Sequence, residues 1–154
     1  MSLNIIPYES RYATRFKDLN IVWLEKYFYV EPMDTILLEN CDANIIDKGG
    51  FIFFAQYNEE IVGCFALLKL RDKEFELGKM AVDPNYQGLK IGQTLLGFAI
   101  DLAKQNEWNK LILYSNTKLE NALYIYKKYG FKQTEIEINL PYARSDIKME
   151  LLLN

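Results

Sequence analysis

A short loop between a predicted strand and a predicted helix carries the residues best suited to bind phosphate. The strand pattern begins at Glu74, passes the turn Asp83-Pro84-Asn85, and leads through Gly88 to an apolar helix that begins at about Ile91. A helix that starts directly after a glycine loop leaves backbone N–H groups unpaired at the positive end of its dipole. The sequence therefore predicts a phosphate site at this loop.

The spacing of the glycines separates this loop from two common nucleotide-binding motifs. Gly88 and Gly92 are followed by Gln93-Thr94, so the glycine spacing and the lysine of a P-loop are missing. The triplet of glycines that binds dinucleotides is also missing. These differences argue against a nucleoside-triphosphate or dinucleotide site at this loop.

The composition restricts which groups can transfer protons. The chain has no histidine, which removes the usual general base and every imidazole metal site. General acid–base catalysis must therefore use Glu, Asp, Tyr, Lys, Cys or water. Cys41 and Cys64 form no paired motif, and free cysteine usually packs as a small apolar residue. We expect no metal site and a reduced, cytoplasmic setting.

Length and charge restrict the class of protein further. The 154 residues suit a single domain spanning 1–154, with half of the residues hydrophobic and no repeat. A net charge of -3 with mixed signs argues against a general nucleic-acid partner. The apolar runs are too short to cross a membrane.

The first third of the chain predicts helices that could form the wall of a site. Apolar residues at helical spacing predict a helix over Glu9 to Phe28, whose aromatic residues line a substrate or pack on a sheet. A second helix is expected to begin at Asp34 and to run to about Glu39. Strands follow at 51–56 and 61–69, joined by short polar turns.

The remaining two thirds predict a parallel crossover and a final pair of strands. The helix from Ile91 ends near Asn106, and a strand apolar on both faces follows at 111–114. A helix is expected over 119–129 with Gly130 as its C-terminal glycine. The last two strands are expected at 131–138 and 146–152.

Three segments form a recognisable pattern: Gln87-Gly88-Leu89-Lys90-Ile91-Gly92, the preceding Met80-Ala81-Val82-Asp83-Pro84, and the run Ala122 to Phe131. Together they resemble the GNAT superfamily of acetyl-CoA-dependent N-acetyltransferases. The resemblance implies an α/β (α+β) GNAT fold, with a mixed, mostly antiparallel sheet of about seven strands flanked by helices. It also implies that this sheet splays between its fourth and fifth strands.

Lys90 departs from the family pattern, because a glycine is expected at this position of the loop. Glycine there would permit an unusual φ and close approach to phosphate. Two compensations are open: Gly88 supplies the freedom two residues earlier, or the Lys90 ammonium adds a cation beside the phosphates.

The resemblance also assigns roles to individual residues. Glu76 falls where several family members place a general base, and a period of two puts it on the same strand face as Met80, with Glu74 as a competitor. Tyr126 matches the family's tyrosine, which protonates the departing thiolate or contacts the sulfur of coenzyme A. Backbone N–H groups near Ala81 would bind the carbonyl oxygen of the thioester. The residues expected to bind acetyl-CoA are Met80, Ala81, Val82, Gln87, Gly88, Leu89, Lys90, Ile91, Gly92, Gln93, Asn116, Asn121 and Lys128.

The function that this resemblance implies is acetyl transfer from acetyl-CoA to a primary amine, in one direct step within a ternary complex. Tyr142 and Arg144 either contact an acceptor carboxylate or hydroxyl, or form a surface turn. The alternative function is an acyl-CoA-binding regulatory module with little turnover. A homodimer through the last strands is a further possibility.

Overall fold

The computed structural model describes residues 2–153, so both end residues of the predicted domain lie outside the described part. Within these residues the chain forms four α-helices and seven strands, together with short 3-10 and π-helical turns. The strands are β1 (Leu3–Pro7), β2 (Phe51–Tyr57), β3 (Glu60–Arg71), β4 (Glu74–Val82), β5 (Lys110–Ser115), β6 (Lys132–Thr134) and β7 (Ile147–Leu152). The helices are α1 (Ala13–Tyr27), α2 (Pro32–Glu39), α3 (Ile91–Gln105) and α4 (Glu120–Lys128).

All seven strands form one sheet in the order β1-β2-β3-β4-β5-β7-β6. Every neighbouring pair is antiparallel except β4 and β5, which are parallel and are connected through α3. A parallel pair needs a crossover of this kind, because a tight turn cannot return the chain in the same direction. The mixed, mostly antiparallel sheet predicted from the sequence is confirmed.

Helices cover both faces of the sheet and bury two apolar layers. The α3 side buries the predicted helical stripe, including Ile91, Leu95 and Ala99, against Phe65 and Leu77. The α1 and α2 side buries Phe16 and Leu37, together with further residues, against Phe54 and Ala66. Each element therefore presents one apolar face to the sheet, as its sequence period requires. Within residues 2–153, no helix has both the length and the apolar character that a bilayer crossing demands.

Several predicted element boundaries differ from the structure. The first helix is divided into a 3-10 turn over Ser10–Tyr12 and α1. The second helix begins at Pro32, because Glu31 and Asp34 form a reciprocal capping box in which Asp34 is the third helical residue. Strand β6 ends at Thr134, four residues before the predicted end, and the chain then forms a loop up to β7.

Candidate active site

A groove opens where β4 and β5 diverge. The two strands pair only from Glu74 to Glu76, opposite Lys110 to Ile112. Beyond this point each strand continues without the other, and a cavity of about 720 Å³ lies between them. The splay predicted between the fourth and fifth strands is confirmed, and it leaves the end of β4 accessible along one edge.

A β-bulge in β4 determines the direction of the side chains along this edge. Ala66 pairs with Gly78 and Cys64 pairs with Ala81, so β4 has one residue more than β3 between these two pairs. The bulge contains Lys79, which has a left-handed φ of 52°. Such a φ is uncommon for a residue with a side chain, and a bulge is one of the places that requires it.

The extra residue reverses the alternation of side chains along β4. Met80 packs on the α3 face of the sheet, whereas Ala81 packs on the face covered by α1 and α2. Glu76 lies on the second face too, because it pairs with Leu68, which packs there. The prediction that Glu76 and Met80 share a face is therefore wrong. A period of two holds only within an uninterrupted strand.

The loop before α3 has the exposed amides that a phosphate site needs. Gly88 and Lys90 both have left-handed φ values, 84° and 57° respectively, and Lys90 is the N-cap of α3. The residue at the family's glycine position thus adopts the conformation that glycine would favour. Within the described residues, the first backbone N–H of α3 with an acceptor is that of Thr94, which donates to the Lys90 carbonyl. The preceding amides are free for a ligand.

Tyr126 lies on α4 at the wall of the same cavity. Its ring packs edge-on against Phe131, with ring centroids 6.0 Å apart. Burial alone raises the pKa of the Tyr126 hydroxyl, so the group stays protonated at neutral pH. A buried, protonated hydroxyl on a cavity wall is a suitable proton donor.

Glu76 lines a smaller pocket of about 70 Å³ next to the large cavity. The two spaces share a wall that consists of Leu77, Gly78, Lys79, Tyr114, Arg144 and Ser145. Burial raises the pKa of Glu76 to about 7, and the nearby Lys79 ammonium opposes this rise. Near neutral pH such a carboxyl group both accepts and releases a proton. Glu74, the competing candidate, lines neither space and pairs with Arg71 and Lys110.

Most of the other predicted binding residues lie on the wall of the large cavity. Those lining it are Met80, Ala81, Val82, Gln87, Gly88, Lys90, Ile91, Gly92, Gln93, Asn116 and Asn121. Leu89 and Lys128 are exposed and do not line it. Asn116 donates to the Arg144 carbonyl at 2.7 Å and accepts from the Lys118 amide at 2.9 Å. Its side-chain amide is thus already hydrogen bonded at both ends.

The aromatic end of α1 forms the opposite wall. Trp23, Tyr27 and Phe28 all line the cavity, and the Trp23 ring lies 5.2 Å from that of Tyr27. Of the two interpretations of this aromatic segment, lining a substrate site is the one that the position favours.

A buried group of charges beside Glu76 was not predicted from the sequence. Asp34 is fully buried and pairs with Lys79 and with both terminal nitrogens of Arg144, each of these nitrogens at 2.7 Å. Glu31 accepts from the Ala143 amide at 2.7 Å and pairs with Arg144 at 3.2 Å. The one available signal was Lys79 itself, a charged residue in an otherwise apolar stretch of strand.

The fold, the splayed groove and the loop before α3 fit the comparisons with known proteins. The model of the acetyltransferase (GNAT) family matches residues 14–131. The chain belongs to this family, which confirms the resemblance seen in the sequence.

Solved structures resemble the chain over almost its whole length. An acetyltransferase of the GNAT family from Staphylococcus aureus MU50 is 26% identical, with a TM-score of 0.86, and the match covers 99% of this chain and 100% of that one. The PaiA N-acetyltransferase from Thermoplasma acidophilum, solved in complex with coenzyme A, is 22% identical with a TM-score of 0.77, covering 99% of each chain. At 22% identity, this second match shows a shared fold.

Curated relatives are matched over shorter parts of their length. "Probable N-acetyltransferase camello" of Xenopus tropicalis is 33% identical over 126 residues, which is 82% of this chain and 51% of that protein. The chain spans about half the length of several such relatives, including 41% of "Probable N-acetyltransferase 14" of Xenopus tropicalis.

Proposed function

We propose that this protein transfers the acetyl group of acetyl-CoA to a primary amine, in one step within a ternary complex. The observation that carries the proposal is the continuity of one cavity. This cavity extends from the exposed loop at Gly88, along the unpaired edge of β4, to Tyr126, and it adjoins the pocket of Glu76.

The donor fits this cavity from one end to the other. Free amides and the positive end of α3 suit the pyrophosphate, and the Lys90 ammonium adds a cation there. The edge of β4 from Met80 to Val82, with which β5 does not pair, offers backbone groups that pair with the amides of the pantetheine arm in the manner of an added strand. PaiA, which shares this fold, was solved with coenzyme A.

The chemistry requires two proton transfers, and each has a candidate group. The amine nitrogen attacks the thioester carbonyl carbon, and the carbon–sulfur bond breaks. Glu76 accepts the proton that the amine loses, directly or through a water molecule, and Tyr126 donates a proton to the departing thiolate. Backbone N–H groups near Ala81 stabilise the negative charge on the carbonyl oxygen. The products are an N-acetylated amine and free coenzyme A, and no step uses a metal.

The test is the release of free thiol from acetyl-CoA across a library of primary amines, with the acetylated product identified by mass. We expect turnover with at least one amine, and its loss in Glu76→Gln and in Tyr126→Phe while coenzyme A still binds. Coenzyme A binding without thiol release for any amine would refute the enzyme assignment and support a regulatory module. A thermal shift with ATP and none with coenzyme A would favour a nucleotide-binding protein.

The proposal includes the setting of the protein. Cys41 and Cys64 are free and buried, which suits a reduced, cytoplasmic compartment. The homodimer through the last strands and the single-domain organisation stay predictions. Nucleic acid and membrane are not among the proposed partners.

A further inference from the structure

Two buried carboxylates, Glu31 and Asp34, and two largely buried cations, Lys79 and Arg144, form what we call the four-charge cluster. It joins the N-terminus of α2, the bulge of β4 and the loop between β6 and β7. The two terminal nitrogens of Arg144 donate to the two oxygens of Asp34, a bidentate pair, and Lys79 also donates to this carboxylate. Two cations and two anions therefore neutralise each other.

The four-charge cluster holds Tyr142 at the pocket of Glu76. The Lys79 ammonium lies 4.6 Å from the centroid of the Tyr142 ring, and the Arg144 guanidinium carbon lies 4.3 Å from it. Lys79 also donates to the Tyr142 hydroxyl oxygen at 3.0 Å. This leaves the hydroxyl hydrogen of Tyr142 available as a donor at the pocket that Glu76 lines.

Of the charged groups around this pocket, Glu76 is the one whose charge is not balanced by an opposite charge. Lys79 and Arg144 are balanced by Asp34 and Glu31. Lys148 and Glu137 also act electrostatically on Glu76, and they pair with each other at 3.2 Å. Glu76 has no ion-pair partner within 4 Å among residues 2–153. The pocket thus carries one negative charge when Glu76 is ionised.

This charge balance decides which acceptor is favoured. A primary ammonium offsets the charge of Glu76 and then gives its proton to that carboxylate. A carboxylate on the carbon that bears the amine would instead place a second anion beside Glu76. It would find Lys79 and Arg144 already paired, because Asp34 and Glu31 hold them.

We infer that Glu31 and Asp34 set the acceptor class by neutralising Lys79 and Arg144, so that the pocket takes primary amines with no carboxylate on the neighbouring carbon. This inference rests on the proposed function and deepens it. It includes alkylamines, polyamines, lysine side chains and peptide N-termini, and it excludes free α-amino acids. Glu31 and Asp34 act through the two cations and are positioning residues for specificity.

The test compares amines with their α-carboxylated counterparts. The pairs are pentylamine with norleucine, 2-phenylethylamine with phenylalanine, and tyramine with tyrosine. For each pair, kcat/KM is measured with acetyl-CoA, and acceptor binding is measured by calorimetry on the protein saturated with coenzyme A. The binding measurement tests the inference even if no acetyl group is transferred.

Two variants change the charge of the four-charge cluster by the same amount. Asp34→Asn and Glu31→Gln each leave the cluster with one positive charge that no anion balances, and the amide oxygen still accepts a hydrogen bond from the backbone. The matched control is Glu39→Gln at the other end of α2, where Glu39 forms an exposed ion pair with Lys17 at 2.9 Å. If Asp34→Asn does not fold, Glu31→Gln gives the same answer, since Glu31 neutralises the same arginine.

The expected result is a preference of about tenfold or more for the carboxylate-free amine, both in the unchanged protein and in Glu39→Gln. The reason is that the repulsion energy of two like charges a few ångströms apart exceeds the free energy that corresponds to a tenfold factor. Either cluster variant should reduce this ratio by about tenfold, since the unbalanced positive charge of the cluster attracts the carboxylate. A purely structural role would lower both members of a pair and leave the ratio unchanged, which would overturn the inference. Equal use of both members by the unchanged protein would also overturn it, although the acetyltransferase proposal would stand.

Discussion

Replacing Glu76 by glutamine should stabilise the protein at high pH and remove most of its activity. Burial raises the pKa of Glu76 from 4.5 to about 7, so the folded state prefers the protonated carboxyl group. The stability that comes from this preference is fully present below pH 4.5 and is lost as the pH rises towards 7 and beyond. Glutamine is uncharged throughout and resembles the protonated form, so Glu76→Gln should not show this loss.

The size of the effect follows from the two pKa values. The difference between 4.5 and about 7 corresponds to roughly 3 kcal/mol, at about 1.36 kcal/mol for each pKa unit. We therefore expect the free energy of unfolding of Glu76→Gln, relative to the unchanged protein, to increase by about 2–3 kcal/mol between pH 4.5 and pH 8.5. In the same variant, kcat/KM should fall by a factor of about 10² to 10⁴, the usual contribution of a general base.

The assay is urea unfolding of both proteins at four or five pH values. The difference between the two curves isolates Glu76, because all other titrating groups are common to both proteins. Glu74→Gln is the matched control on the same strand: it removes partners of Arg71 and Lys110 and should give no gain at high pH. A difference that does not change between pH 4.5 and 8.5 would refute the reasoning that Glu76 is buried without a compensating partner.

Three further predictions concern α4, the phosphate loop and a tight glycine. Tyr126→Phe should lower kcat about 10²-fold with little change in the KM for acetyl-CoA, and an unchanged kcat would contradict its role as proton donor. Lys90→Gly should change the free energy of unfolding by less than about 1 kcal/mol, whereas Lys90→Val should lower it by about 2 kcal/mol, because a β-branched residue is strained at a φ of 57°. Equal urea midpoints for these two variants would refute this. Gly50→Ala should lower Tm by several degrees, since its methyl group would lie 2.5 Å from the Leu67 carbonyl oxygen. Gly63→Ala should lower Tm by less, because its methyl group would meet movable side chains at 3.1 Å or more.

The elements that follow from local pattern were predictable from the sequence. The helix α3 has an apolar stripe at helical spacing, and all of its buried residues belong to that stripe. Gly130, with a φ of 101°, ends α4 as expected for a glycine after a helix. The loop before α3 belongs to the same category, because its conformation depends on residues that are adjacent in the chain.

The residues around the acceptor pocket, which is the space of about 70 Å³ lined by Glu76, were not predictable, because they depend on contacts between distant parts of the chain. Asp34 contacts Lys79 and Arg144, which are 45 and 110 residues away. From the sequence, Arg144 was predicted to lie in a surface turn or to contact an acceptor carboxylate or hydroxyl. Neither prediction gives Arg144 a buried aspartate as its partner. A capping box at Glu31 and Asp34 would suggest only a helix start, although both carboxylates also bind the arginine.

The bulge at Lys79 links the two halves of the site. Without the extra residue, position 79 would continue the face of Phe75 and Leu77, and its ammonium would point into the apolar layer beneath α3. With the extra residue, the ammonium reaches Asp34 and Tyr142 on the other face, while Met80 and Val82 turn towards α3. The same left-handed residue therefore sets the edge along which the donor would lie and the charge balance of the acceptor pocket. Deleting one residue of the bulge should disturb both, so coenzyme A affinity and acceptor preference should change together.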